Sequence, residues 1–164
     1  MNILVQKITD RSLMDRACSF TVNREVHPNP AKLYLAEHSP IRTQLFWVEM
    51  LDIPTFASVH FVRHKIGTEH FVKSNREDRP GFTGTDGGRL HPVNHAMILN
   101  AHSLINMARK RLCRRSHATT RDIMKLICLE IREVDPDLYP CLVPECLYRG
   151  KCHEMKPCGR IGEE

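Results

Sequence analysis

The chain has 164 residues, 41% of them apolar and 26% charged, with a formal net charge of +5. That suffices for one core, whereas no apolar run approaches the roughly 18 residues of a membrane span, so no membrane partner is expected. The N-terminus lacks a signal-peptide hydrophobic region, which makes the cytoplasm the expected compartment, and the positive balance favours anionic partners such as nucleotides and phosphates.

Residues 2–7 alternate and predict a short strand. Residues 10–20 predict a helix through Leu13, Met14, Ala17, Cys18 and Phe20, with Asp10 or Ser12 near its cap. The prolines of 27–30 predict a loop. Residues 41–51 are an apolar strand or helix, interrupted by Asp52 and Pro54. Residues 55–65 alternate and are rich in β-branched and aromatic types, which predicts a strand ending in Arg63-His64-Lys65. The glycines of 80–88 predict a loop.

Residues 93–113 are the longest periodic segment and predict a buried helix, whole or in two pieces around Asn100. The basic run Arg109, Lys110, Arg111, Arg114 and Arg115 follows, either a solvated face or an anion contact. Thr119 or Thr120 is the expected cap of a second helix through Arg132, which Asp135-Pro136 stops. The boundaries predict a body over 1–139 and a cysteine-rich tail over 140–164.

Four groups carry chemistry. Arg63, His64 and Lys65 concentrate cations at an element end, suiting phosphate or carboxylate; the alternative is a solvated end. Ser74, Arg76, Arg79 and Arg89 flank the glycine loop, either as phosphate donors or as parts of a connection. Asn100, His102, Asn106, Arg111 and His117 form a third group, but on one helix Asn100, Asn106 and Arg111 point apart, so a single ligand edge cannot meet all three. Cys141, Cys146, Cys152 and Cys158 could complete a tetrahedral zinc site, with His153 as a substitute ligand; reduced thiols and a redox disulfide are the alternatives. No nucleophile elbow, Walker loop, zincin or dinucleotide motif occurs.

Residues 60–76, HFVRHKIGTEHFVKSNR, resemble the flavin-dependent thymidylate synthases, whose signature is R-H-R-x-x-S-x-N-E-x-S-x-R-Y. Arg63 and His64 match, Lys65 and Thr68 stand for the third cation and first serine, and Ser74-Asn75-Arg76 matches after a one-residue insertion. Residues 100–118 resemble the family's N-A-R-S-L-x-N-x-x-x-x-R followed by S-H-A, through Asn100, Ala101, Ser103, Leu104, Asn106, Arg111 and Ser116-His117-Ala118. His38 lies where the family keeps a G-H-E-T type turn. The signature's N-E pair is absent, its tyrosine is Glu77, the N-A-R-S arginine is His102, and Thr119 replaces a glutamine.

The resemblance implies an α/β (α+β) fold, a mostly antiparallel sheet with packed helices, assembled as a homotetramer with sites between subunits. It implies conversion of dUMP to dTMP with FAD, methylenetetrahydrofolate and NADPH. His38, Arg63, His64, Lys65, Asn100, His102, Asn106 and His117 would hold FAD. His60, Ser74, Arg76, Arg89 and Arg111 would hold the nucleotide, with Arg63, Ser74 and Arg111 serving the chemistry. The alternatives are a related flavin- and folate-dependent modification such as hydroxymethylation, or a non-catalytic, zinc-stapled nucleic-acid module; nucleic acid is not the expected partner.

Overall fold

A computed structural model describes residues 1–74, 76–80 and 88–161. Asn75 of the Ser-Asn-Arg match and positions 81–87 of the glycine loop lie outside them.

The chain opens with strand β1 (Asn2–Lys7) and helix α1 (Arg11–Val22). The Asp10 carboxylate accepts from the Ser12 amide at 2.8 Å and caps α1, as expected. Helix α2 (Pro30–Ala36) follows, with proline in its first turn and the Asn29 side chain accepting from the Lys32 amide. It starts on the last proline of the expected loop. A 3-10 turn over Ser39–Thr43 leads into strand β2 (Leu45–Pro54), so the 41–51 segment is mostly strand. The later elements are helix α3 (Thr55–Val62), strands β3 (Thr68–Val72) and β4 (Pro92–Asn100), and helices α4 (Ala101–Arg111), α5 (Ala118–Val134) and α6 (Glu145–Arg149).

The architecture is α+β, with a four-stranded sheet in the order β1-β2-β4-β3. Every neighbouring pair is antiparallel. Alternation buries Ile3, Phe46, Val48, Met50, Met97 and Leu99 on one face. Leu104, Ile105 and Met107 of α4 and Ile123, Ile127 and Ile131 of α5 join them in one core. No helix among the described residues is long and apolar enough to cross a membrane.

Four expectations change. Residues 55–62 are helix rather than strand. Pro54 precedes the first turn, and its amides are satisfied from afar, Thr55 N–H by the His91 carbonyl at 2.9 Å and Phe56 N–H by that of Arg89 at 3.1 Å. Ala57, Ser58 and Phe61 are buried on one side while Val59 is exposed on another, so apolar residues surround this short helix and imitate a strand pattern. Residues 92–100 are strand rather than helix, because Val93, His95, Met97 and Leu99 are buried at period two; the expected break at Asn100 is the strand-to-helix junction. Thr68–Val72, for which the sequence reading assigns no element, is the edge strand β3. Neither Thr119 nor Thr120 caps α5: His117 occupies that position without a side-chain bond, and Thr120 is buried.

Candidate functional site

The connection from α3 to β3, Arg63 to Gly67, is fastened to the start of α4. Asn100 caps α4 by accepting from the Ser103 amide at 2.9 Å. The Ser103 hydroxyl donates to the Ile66 carbonyl at 2.7 Å, and the Asn100 amide donates to the Gly67 carbonyl at 3.2 Å. Gly67 has φ +65, and a Cβ there would lie 2.4 Å from Ser103 Oγ and 2.5 Å from Asn100 Nδ2. Above this staple, Arg63, His64, Lys65, His102 and Asn106 line a cavity of about 330 Å³. Asn100 therefore holds the turn without lining the cavity, while His102, Ser103 and Asn106 line it. His102 is also held, 3.4 Å from Glu37, whose carboxylate pairs with the buried Arg109.

A second cluster adjoins through His64. Arg111, half-buried at the end of α4, donates from Nε to His64 Nε2 at 2.9 Å and from Nη2 to the His60 carbonyl at 2.6 Å. Accepting at Nε2 makes His64 a neutral imidazole with its proton on Nδ1. Burial, then the Arg111 charge, then His70 hold its pKa down to about 4. Burial and the Arg63 charge likewise push the Arg111 pKa down. His60 bonds Thr120 Oγ1 at 2.8 Å, and its pKa is lowered by burial and then by Arg111, Arg63, His117 and Arg89. Phe56 closes the cluster, its ring centroid 4.6 Å from that of His117 and 5.9 Å from that of His60. Arg63, Lys65 and Arg111 make no ion pair among the described residues. Mutually repelling cations around a neutral histidine favour an anion, because an arriving negative charge relieves both repulsion and desolvation.

Sequence reasoning missed a relay beneath the cavity. His70 Nε2 lies 2.9 Å from the His64 carbonyl, His70 Nδ1 lies 3.0 Å from His95 Nε2, and His95 Nδ1 lies 3.0 Å from the Ser58 hydroxyl. A carbonyl only accepts, so His70 donates from Nε2, its Nδ1 accepts from His95, and His95 accepts from Ser58. Burial first, then His70, hold the His95 pKa down to about 4. Three elements thus fix the backbone of the Arg63-His64-Lys65 turn. His70 and His95 are far apart in sequence, and only their inward alternation on paired strands hints at contact.

Other expected residues lie elsewhere in the chain's own fold. Ser74 and Arg76 follow the far end of β3, where Ser74 is about 20 Å beyond Thr68 at strand rise. Arg76 is exposed and pairs with Asp78. His38 lines a different cavity, of about 440 Å³, with Cys18, Val22 and Leu33. Cys141 is separated from the other tail cysteines: it faces Tyr34, Glu37 and Arg109, while Cys146, Cys152 and Cys158 line a common cavity. Among the described residues no three ligand side chains converge closely enough, as placed, to hold a metal ion.

No family model matches the chain, and no curated protein sequence does. Solved structures do share its fold. A thymidylate synthase X from Helicobacter pylori, determined with FAD and dUMP, superposes with a TM-score of 0.71 at 13% identity, covering 87% of this chain and 99% of that one. A second structure of a flavin-dependent thymidylate synthase from that organism, complexed with FAD and dUMP, gives 0.72 at 12% identity, covering 87% and 100%. A UMP/dUMP methylase from Streptomyces cacaoi, bound with 5-Br dUMP, gives 0.59 at 13% identity, covering 85% and 94%. The fold of the flavin-dependent thymidylate synthases is therefore present over most of this chain.

Proposed function

We propose that the chain is a dUMP-modifying flavoenzyme, with conversion of dUMP to dTMP as its reaction. The observation that carries this reading is the cation cluster of Arg63 and Arg111 around His60, set on this fold and held in place by His64 and Asn100. Arg111 spends two of its N–H donors on His64 and the His60 carbonyl. The remaining donors of its fork suit a nucleotide phosphate, and Arg89, which contributes to the field on His60, adds to the attraction.

The donor set of the adjoining cavity fits a flavin. Neutral His64 offers Nδ1–H, Asn106 an amide, and Arg63 and Lys65 positive charge beside a ring system that becomes electron-rich on reduction. Bound FAD would supply hydride transfer, drawing on NADPH, while methylenetetrahydrofolate would supply the carbon. The protein's own part is orientation and charge: Arg111 fixes the phosphate, Arg63 stabilises negative charge at the cavity, and Asn100 with Ser103 keeps the turn in place. Ser74, Arg76 and His38 lie apart in one chain, so in this reading they enter the site from another copy of the protein.

Calorimetric titration of dUMP into the wild type and Arg111→Ala tests the assignment. The variant should lose about 1.5–3 kcal/mol, roughly 10- to 150-fold in affinity. Equal affinities would remove Arg111 from the phosphate site. A purified protein that neither carries FAD nor binds added FAD would refute the flavoenzyme reading. With FAD bound and dUMP, methylenetetrahydrofolate and NADPH all supplied, mass analysis of the product should give dTMP; 5-hydroxymethyl-dUMP would reassign the reaction.

A further inference from the structure

The segment after α6 poses a physical question: what holds it. Between positions 150 and 161 no backbone hydrogen bond anchors the chain among the described residues. Tyr148, the last anchor, lies under the Arg109 guanidinium; from 150 to 161 only Cys152, Cys158 and Ile161 are part-buried, and Met155 is entirely exposed. A single ion pair, Lys110 to Glu154 at 3.7 Å, ties this stretch to α4, and an exposed pair of that kind contributes little. Too little apolar surface is buried here to offset the entropy of ordering the segment.

The inward side chains of this segment are thiols, and they share one cavity. Cys152 and Cys158 line a space of about 170 Å³ together with Cys146 of α6 and Cys113, which follows α4. All four are free thiols. Lys110 and Arg149 line the same cavity. Both cations are paired with carboxylates that line the cavity as well, Lys110 with Glu154 and Arg149 with Glu145, so the case for a metal rests on the four thiols.

We propose that Cys113, Cys146, Cys152 and Cys158 form a structural zinc site that clips the tail onto the end of α4. Four thiolates in tetrahedral array suit zinc. The four sulfurs stand further apart than a bound ion allows, so zinc must pull the tail inward as it binds, and metal binding becomes the folding step of the segment. Cys113 replaces Cys141 in the ligand set suggested by sequence spacing. Three parts of the chain then contribute: the end of α4 through Cys113, α6 through Cys146, and the tail through the last two.

The choice between Cys113 and Cys141 makes the test specific. Tag-free protein should contain about one zinc per chain, and cobalt(II) substituted for it should give the intense visible absorption of a tetrahedral thiolate site. Cys113→Ser and Cys158→Ser should lose that absorption, and Cys141→Ser should keep it. Circular dichroism establishes that each variant is folded. In the wild type, chelation should expose 150–161 to protease while the body resists, a readout independent of any substitution. All seven thiols should react in denaturant with chelator and no reductant. Failure to take up zinc or cobalt, a disulfide revealed by missing thiols, or loss of metal in Cys141→Ser with retention in Cys113→Ser would each overturn the proposal.

Discussion

Gly67 shows how one side chain, by being absent, lets the Arg63–Gly67 turn lie against the start of α4. Its φ of +65 and the positions of Ser103 Oγ and Asn100 Nδ2 exclude a Cβ for two separate reasons, backbone strain and overlap. Neither neighbour can easily retreat, because the Ser103 hydroxyl and the Asn100 carboxamide both belong to the capping network. Gly67→Ala should therefore lower stability by about 1–3 kcal/mol in urea unfolding and weaken FAD retention. Gly150, at φ +74 with nothing within 4 Å of a built Cβ, bears only the first penalty and is the matched control. A Gly67→Ala cost no larger than that of Gly150→Ala would show that the turn is not held tightly against α4.

The histidine relay couples α3, β3 and β4 to the turn above them, and it makes their association sensitive to acid. His95 is 1% exposed, and its folded pKa is about 4 against 6.5 in an open chain. Below pH 6.5 the unfolded chain takes up a proton that folded His95 refuses, so stability declines as pH falls from 6.5 towards 4 and levels off beneath that. The shift corresponds to at most about 3 kcal/mol for this residue. His64 acts in the same direction. Carboxylates with lowered pKa, such as Glu37, titrate below their ordinary value of 4.5, so the decline from 6.5 to 5 belongs to the histidines. Urea unfolding at pH 7.5, 6 and 5 should show it, and His95→Gln should flatten it. An unchanged slope in that variant would mean that the relay does not exclude the proton.

The sheet is covered on one face only. Opposite the core, Leu4, Trp47, Leu51, Phe71 and Ile98 project from all four strands, with Phe71 53% and Leu4 48% exposed. Trp47 and Phe71 touch across it, ring centroids 5.6 Å apart. An apolar patch of this breadth suits burial against another copy of the chain, and the proposed function, in which Ser74, Arg76 and His38 enter from another copy, predicts one. Light scattering on the wild type should give a mass above that of one chain, and Phe71→Asp should shift it downward while leaving circular dichroism unchanged. A wild-type monomer that still turns over dUMP would show that one chain is sufficient for the site.

Where a feature depends on neighbouring residues, it was readable directly from the sequence. The first strand, the Asp10-capped helix, the break at Asn100 and the stop at Asp135-Pro136 all follow from propensity, capping and proline stereochemistry within a few positions. The concentration of cations at Arg63-His64-Lys65 and Arg111 was equally visible. Features decided by distant partners were not. Residues 55–62 read as a strand because their apolar pattern was real, yet it is the Arg89 and His91 carbonyls that complete the helix there. The His70–His95 contact exists through the β3–β4 register, and Cys113 comes to line one cavity with Cys146, Cys152 and Cys158 through the packing of α6 on α4. Spacing along a chain determines which side chains share an element face. Which faces meet, and hence which charges, thiols and imidazoles become neighbours, was decided only when the sheet and helices closed on one core.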